Sequence, residues 1–140
     1  IVEGHVEAAR EMLTRPHRLD GIVVHGEKRG REIGYPTANI NIKETYKLIP
    51  KTGVYIVMSK IHGANVYGMM NIGNRPTIGG DYQTIEVHFF DFNADLYHQQ
   101  LTINLLYFLR DEQKFDSIED LMLQLKKDEQ TARNFIEKNL

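Results

Sequence analysis

The chain has 140 residues, enough for one domain with a substantial core, and 41% hydrophobic and 26% charged residues are ordinary for a globular protein. A formal net charge of −2 argues against a broad nucleic-acid-binding surface, and no apolar run approaches the ~20 residues of a membrane-spanning helix. The absence of cysteine excludes disulfides and thiolate metal sites, and it is compatible with a reducing compartment such as the cytoplasm.

The first 16 residues have a helical pattern that stops before Pro16. Apolar residues recur there at helical spacing, at Val2, Val6, Ala9 and Leu13. Because this pattern has no start signal, we expect residues 1–16 to be the linker-helix remnant of a longer chain, although a trimmed chain end would look the same. The domain itself is then expected to cover residues 17–140.

After Pro16 the pattern changes to short β-branched and aromatic runs joined mostly by short polar links. Consecutive strands without crossover helices pair antiparallel, and closing such a sheet on itself removes its exposed edges. The sequence therefore predicts a small antiparallel barrel of six strands, at Leu19–His25, Thr37–Ile42, Gly53–Ile61, Val66–Gly73, Thr84–Phe92 and Leu101–Leu109.

The C-terminal segment predicts an amphipathic helix that packs on the barrel. Ser117 and Asp120 have the spacing of a capping box. Asp128 falls on the apolar side, where a carboxylate needs a partner such as a loop amide. The apolar positions form one stripe at helical spacing: Ile118, Leu121, Met122, Leu125, Ala132, Phe135 and Ile136.

The stretch "GEKRGREIGYPTAN", residues 26–39, combines glycines with cations and suits a polyphosphate, although a solvated hairpin loop is the simpler alternative. Thr37 and Asn39 lie two apart in an extended segment after Pro36 and therefore share one face. A hydroxyl and an amide oxygen are hard ligands of the kind Mg²⁺ accepts beside phosphates, whereas the alternative is capping of the loop backbone.

Three further features carry possible chemistry. Glu86 is predicted on one strand face with His88, Phe90 and Phe92, where it could act as a general base or simply form the polar side of a half-exposed strand. "NIGNRPT", residues 71–77, is interpreted as a loop. Arg110 and Phe115 suit a planar heterocycle, or Phe115 only anchors the helix start. The histidines show no H-E-x-x-H pattern, so no zinc site of that kind is expected.

Taken in order, "GREIGYPTANI", "GVY", "NIGNRPT", "IEVHFFDF", "DLY" and "LRDEQKFDSIEDLMLQLKKDEQTAR" resemble the motifs of the riboflavin kinase (flavokinase) family over about residues 16–136. Within that family, the sequence resembles the C-terminal module of the bacterial bifunctional riboflavin kinase/FAD synthetase. The resemblance implies a six-stranded antiparallel Greek-key barrel with a C-terminal helix. It also implies transfer of the ATP γ-phosphoryl group to riboflavin, giving FMN and ADP, with an N-terminal adenylyltransferase module in the full-length protein.

The resemblance also implies roles for individual residues. Glu86 would be the catalytic base, and Thr37 and Asn39 would hold Mg²⁺ and the ATP phosphates. The flavin would lie near Arg110 and Phe115. The remaining ATP-binding positions would be Gly26 and Arg31 in the glycine-rich loop and Phe89, Asp91 and Tyr97 around the nucleotide.

Two positions depart from the family pattern: His98 stands where glycine is usual, and Ile78 where phenylalanine is common. The first bears on the loop that carries Tyr97. Two other functions remain open from the sequence, a non-catalytic flavin-binding barrel and a kinase of the same fold acting on another alcohol. Production of FMN from riboflavin and ATP separates these possibilities.

Overall fold

The structure is a computed structural model and describes residues 17–24, 34–42, 51–77, 80–92 and 94–139. The predicted helix at residues 1–16 and the glycine-rich loop with Gly26 and Arg31 lie outside these ranges. Six strands and one helix are described: β1 (His17–Val24), β2 (Ala38–Ile42), β3 (Gly53–Ile61), β4 (Ala64–Thr77), β5 (Gly80–Phe89), β6 (Gln100–Arg110) and α1 (Ile118–Asn139).

The six strands form a closed antiparallel barrel in the order β1-β2-β5-β4-β3-β6, which confirms the predicted fold class. β3, β4 and β5 follow one another as hairpins, and β2 lies beside β5. This order is a Greek key. Among the six described strands, closure through the β1–β6 pair gives every strand a neighbour on both sides.

Alternation along the strands divides the side chains between the inside and the outside of the barrel. On β5, for example, Ile85, Val87 and Phe89 point inward, whereas Thr84, Glu86 and His88 point outward. The inner cluster fills the barrel with buried side chains from all six strands and from the loop before β6: Leu19, Val23, Ile40, Tyr55, Val57, Ile61, Val66, Met70, Ile72, Ile85, Val87, Phe89, Leu96, Leu101, Ile103, Leu105 and Phe108.

The helix α1 covers an outer cluster on β3, β4 and β6. This outer cluster consists of Val54, Ile56, Met69, Phe90 and Ala132, with Leu125, Phe135 and Ile136 of the helix packed against it. Ser117 Oγ accepts the backbone N–H of Asp120 at 3.1 Å, so the predicted N-cap is confirmed. Ile118, predicted in the apolar stripe, is 60% exposed and does not belong to the outer cluster.

The boundaries differ from the sequence interpretation at three places. Residues 71–77, interpreted as a loop, belong to β4 and pair with β5 as far as Thr77 and Gly80. The β3–β4 turn is only His62-Gly63, because Ile61 already pairs with Ala64. β5 ends at Phe89, and Asp91 adopts a positive φ of 54°. That turn breaks the alternation and sends Phe92 to the inner cluster rather than to the face of Glu86.

No helix in the described part of the chain combines the length and apolarity needed to cross a membrane.

Candidate active site

The short β2–β5 ladder brings together the three side chains predicted to act on phosphate and alcohol. Ala38 pairs with Val87 and Asn39 pairs with Glu86, so Asn39 and Glu86 are direct cross-strand neighbours on the outer face. Thr37 lies just before β2, and its Oγ1 donates a hydrogen bond to Glu86 Oε1 at 3.2 Å. Thr37, Asn39 and Glu86 therefore lie together on the outer wall of the barrel.

A row of outward residues continues from Glu86 around the barrel. Glu86 pairs with Asn71 on β4, Asn71 pairs with Val54 on β3, and Val54 pairs with Arg110 on β6. Directly opposite residues of paired strands point to the same face. Glu86 and Arg110 are 24 positions apart in sequence. They lie at opposite ends of this outward-facing row, and the Arg110 end lies beneath α1.

Arg110 is held at the end of β6 by a bidentate ion pair with Asp128 of α1. Its Nε and Nη2 donate to the Asp128 carboxylate at 2.8–3.1 Å, and Gln124 Nε2 donates to the same carboxylate at 2.9 Å. Asp128 is buried, so the sequence prediction that it needs a partner is confirmed, with a guanidinium in place of a loop amide. The Phe115 ring lies 6.0 Å from the guanidinium carbon of Arg110.

Glu112, in the segment between β6 and α1, approaches the same outer face. A side-chain carbon built at Gly73 would lie 2.6 Å from Glu112 Oε2 and 3.0 Å from Thr84 Oγ1. The absence of a side chain at Gly73 therefore leaves the room in which this carboxylate sits. Thr84 Oγ1 is buried and has no hydrogen-bond partner among the described residues. Glu112 and Thr84 thus both lie beside Gly73, two positions from Asn71, the cross-strand partner of Glu86.

Individual residues of the segment 35–37 attach it to the barrel and to α1. Tyr35 Oη donates to Glu129 Oε1 of α1 at 2.9 Å. The Pro36 carbonyl lies 2.7 Å from His88 Nδ1, and a carbonyl only accepts, so this nitrogen carries the proton. The rings of Tyr35 and His88 meet edge to face with centroids 5.1 Å apart.

Arg133 of α1 connects the segment 35–37, through Glu129, to Asp91. Arg133 donates through Nε to Glu129 at 2.8 Å and through both terminal nitrogens to Asp91 at 2.9 and 3.2 Å. Burial and the hydrogen bond to Glu129 raise the pKa of Tyr35 to about 12. Burial alone would raise the pKa of Glu129, but hydrogen bonds from Arg133 and Tyr35 lower it overall. The hydrogen bond and charge of Arg133 also lower the pKa of Asp91.

The other predicted nucleotide positions lie around the end of β5 and the loop before β6. The Phe89 side chain is in the inner cluster, so only its backbone is available on the outside. Asp91 borders a cavity of about 720 Å³ that also contacts Phe90, Phe92 and Arg133 but not Thr37, Asn39 or Glu86. Tyr97 is 37% exposed, and its ring lies over that of His98 at 3.9 Å.

His98 adopts the left-handed backbone conformation that glycine accepts at low cost, with φ of 72°. Its backbone N–H donates to Val23 at 2.9 Å, and the N–H of Gln99 donates to Leu96 at 2.9 Å. The loop bonds to β1 despite the substitution, so the departure from the family pattern leaves this loop attached to the barrel.

The oxygen donors of this site suit a hard cation that also binds phosphate. Thr37 and Asn39 offer a hydroxyl and an amide carbonyl next to the Glu86 carboxylate. Within the described ranges, no three His, Asp or Glu side chains cluster closely enough to form a metal site by themselves. Thr37 and Asn39 would therefore share a cation with phosphate oxygens and water.

Sequence reasoning missed four residues that surround these groups. Asn71 falls where the predicted strand Val66–Gly73 and the loop predicted at residues 71–77 overlap, and its place opposite Glu86 follows only from the β4–β5 register. Tyr35 lies two positions before Thr37 in the sequence, where no pattern predicts a partner for its hydroxyl. Glu129 and Arg133 have the i, i+4 spacing of a helical ion pair, which is visible in the sequence, but their contacts with Tyr35 and Asp91 depend on how α1 docks.

Comparison with known protein families and sequences gives a consistent result. A family described as Flavokinase, riboflavin kinase, matches residues 13–136. A Listeria monocytogenes protein described as a bifunctional riboflavin kinase/FMN adenylyltransferase is 45% identical over 139 residues, covering 99% of this chain and 44% of that protein. The Bacillus subtilis protein of the same description is 42% identical, with 92% and 42% covered. The chain spans less than half the length of these relatives.

Two solved structures that share this fold are described as different kinds of protein. A Streptococcus pneumoniae crystal structure described as a macrolide-efflux protein has a TM-score of 0.83 and 40% identity, covering 96% of this chain and 44% of that one. A riboflavin kinase from Trypanosoma brucei has a TM-score of 0.58 and 27% identity, covering 89% and 82%.

Proposed function

The chain belongs to the riboflavin kinase family, and from this premise we propose that it transfers the γ-phosphoryl group of ATP to the 5′-hydroxyl of riboflavin. The observation that carries the proposal is the meeting of Thr37, Asn39 and Glu86 on one outer face, through the β2–β5 register and a 3.2 Å hydrogen bond. A non-catalytic flavin-binding barrel would need neither the oxygen donors nor the carboxylate.

Glu86 is the proposed base. As the riboflavin O5′ forms its bond to the γ-phosphorus, the bond from that phosphorus to the β,γ-bridging oxygen breaks and ADP leaves. The hydroxyl proton passes to the Glu86 carboxylate. Phosphoryl transfer needs in-line placement of the alcohol more than covalent help, and the hydrogen bond from Thr37 fixes the carboxylate orientation.

Thr37 and Asn39 are the proposed ligands of a magnesium ion bound with ATP. When bound, Mg²⁺ neutralises charge on the phosphate oxygens during transfer. The Thr37 hydroxyl has two functions available at once, because its oxygen lone pairs can face a cation while its O–H donates a hydrogen bond to Glu86. Gly26 and Arg31 are proposed to cover the phosphates, as the family resemblance implies.

The flavin is proposed to lie near Arg110 and Phe115, at the α1 end of the outward row that begins at Glu86. The Arg110–Asp128 ion pair would fix the guanidinium beside the ring system. On the nucleotide side, Asp91 and Tyr97 are exposed enough to contribute side chains, whereas Phe89 would contribute its backbone. We also propose that an adenylyltransferase module precedes this chain in the whole protein, as the names of the relatives suggest.

The direct test incubates the purified chain with riboflavin, ATP and Mg²⁺ and separates the flavins by chromatography. We expect FMN and ADP in equal amounts, and no FMN when either ATP or the divalent cation is omitted. Flavin binding without FMN formation would support the non-catalytic barrel instead. Phosphorylation of a different alcohol, with riboflavin untouched, would assign the chain another substrate.

A further inference from the structure

We propose that the C-terminal helix positions the metal- and phosphate-binding segment, with Tyr35 and Glu129 as positioning residues that hold Thr37 in place for Mg·ATP. This inference rests on the proposed function, because it concerns the affinity of the same nucleotide site. Neither residue is placed in contact with the reacting atoms.

The need for such support follows from the end of the strand pairing. The β2–β5 ladder contains only the pairs Ala38–Val87 and Asn39–Glu86. Thr37 therefore lies just outside the β2–β5 ladder, and Pro36 has no N–H with which to extend it. Towards β5 and α1, the described hydrogen bonds that hold residues 35–37 all involve side chains.

Three consecutive residues are held in this way by three different partners. Tyr35 is bonded to Glu129, the Pro36 carbonyl to His88, and Thr37 to Glu86, at 2.9, 2.7 and 3.2 Å. His88 and Glu86 belong to β5, whereas Glu129 belongs to α1. The helix thus provides one of the three attachments of the segment that precedes β2.

The attachment through α1 is itself held by charge. Arg133 binds Glu129 and Asp91 together, and its guanidinium carbon lies 4.7 Å from the centroid of the Phe90 ring. Glu129 is half-buried and ionised beside Arg133, so it is a strong acceptor for the Tyr35 hydroxyl. The loop that carries Asp91 and the segment that carries Thr37 are consequently joined to the same turn of helix.

The first experiment compares Tyr35→Phe with a matched control, Tyr67→Phe, which also removes a phenolic hydroxyl next to the outer cluster. Both retain their rings. We expect Tyr35→Phe to weaken Mg·ADP binding, measured by calorimetry without turnover, by about tenfold, as for loss of a hydrogen bond to a charged group. Its KM for ATP should rise by a similar factor, while its KM for riboflavin and its melting temperature remain close to wild type. Tyr67→Phe should leave all four values unchanged.

A double-mutant cycle tests the route through Glu129. Glu129→Ala should weaken Mg·ADP binding, and Tyr35→Phe should add little in that background because the shared hydrogen bond is already absent. Glu129→Gln keeps an oxygen that accepts the Tyr35 hydroxyl but lacks the charge, so it should recover part of the Mg·ADP affinity. Additive effects of Tyr35→Phe and Glu129→Ala would overturn the proposed route.

The outcomes separate this inference from the proposed function. If the wild-type chain forms FMN and Tyr35→Phe binds Mg·ADP as tightly as wild type, the positioning role is wrong and the kinase assignment stands. If wild type forms no FMN but Tyr35→Phe still weakens Mg·ADP binding, the positioning role stands for a nucleotide site with a different use.

Discussion

At the scale of single residues, Glu86 shows how a common residue becomes a candidate catalyst by its neighbours. Its strand places it on the outer face, its cross-strand partners are Asn39 and Asn71, and Thr37 orients one of its oxygens. None of these contacts comes from nearby residues in the sequence. The alternation of β5 predicts the face of Glu86, but strand register determines what shares that face.

Glu86→Gln is expected to lower kcat roughly 10²- to 10⁴-fold while riboflavin binding remains nearly intact. The amide keeps an oxygen that can accept the Thr37 hydroxyl, so the variant removes the base with little change in shape. Turnover at saturating ATP and Mg²⁺, with flavin binding followed by fluorescence, measures the two effects separately. Glu112→Gln, which changes another carboxylate on that face, should lose much less turnover. Wild-type turnover in Glu86→Gln would exclude this residue as the base.

The β3–β4 turn gives a residue-scale prediction about stability. His62 and Gly63 both have positive φ, 51° and 83°, as a two-residue type I′ turn requires. A side-chain carbon at Gly63 would meet nothing within 4 Å, so only backbone conformation disfavours a larger residue there. Gly63→Ala should therefore reduce the free energy of unfolding by about 1 kcal/mol.

The matched substitution at the preceding position should act in the opposite direction. His62→Asn creates the Asn-Gly pair that this turn prefers. It should therefore raise the free energy of unfolding by about 0.5 kcal/mol. Urea unfolding of both variants provides the measurement. Equal midpoints for the two variants would contradict the type I′ assignment.

At the scale of elements, α1 is attached to the barrel by an apolar face and by two sets of ionic contacts. The apolar contact is the outer cluster, to which Leu125, Phe135 and Ile136 contribute. The ionic contacts are Asp128 with Arg110 and Arg133 with Asp91. Because the first pair is nearly buried and the second is exposed, their contributions to stability should differ greatly.

Arg110→Met is expected to destabilise the fold by about 3 kcal/mol, because it leaves the Asp128 carboxylate buried without its cation. Gln124 remains as a donor but carries no charge. Adding Asp128→Leu should restore most of the loss, since an apolar pair of similar size replaces the ion pair. Chemical unfolding of the single and double variants measures both effects. A single variant as stable as wild type would mean that the Asp128 carboxylate does not depend on Arg110 as its partner.

At the scale of the whole molecule, barrel and helix form a double layer, with one apolar cluster inside the barrel and another between the barrel wall and α1. The candidate site lies on the same outer wall, beside the area that α1 covers. Tyr35 before β2, Asp91 after β5 and Arg110 of β6 each contact a residue of α1. Conditions that weaken the contacts of α1 with the barrel should therefore also disturb the geometry of the site.

Acid should weaken that docking. Arg133 lowers the pKa of both Asp91 and Glu129 in the folded protein, so these groups bind protons more weakly when folded than when unfolded. Their stabilising contribution is present above their ordinary pKa values of about 4 and is lost as the pH falls through the lowered folded values. The unfolding midpoint in urea should decline as the pH is lowered below about 4.

Two variants identify the groups responsible for this decline. Glu129→Gln should reduce the slope of stability against pH, because one of the two titrating groups is removed. Arg133→Gln should reduce it further, because it removes the cause of both pKa shifts. A slope equal to that of wild type in Arg133→Gln would assign the acid sensitivity to other carboxylates.

By itself the sequence determined the strands, the final helix and the family. Alternation with period two and the Ser117 cap are local properties, and local properties are written in consecutive residues. The sequence also identified Thr37, Asn39 and Glu86 as candidates. Only the tertiary structure decided that these three meet on the outer wall, that Asp128 takes Arg110 as its partner, and that Tyr35 reaches Glu129. These contacts join residues that are 18–94 positions apart in the sequence. Strand order, register and helix docking bring such residues together, and no pattern of consecutive residues predicts those contacts.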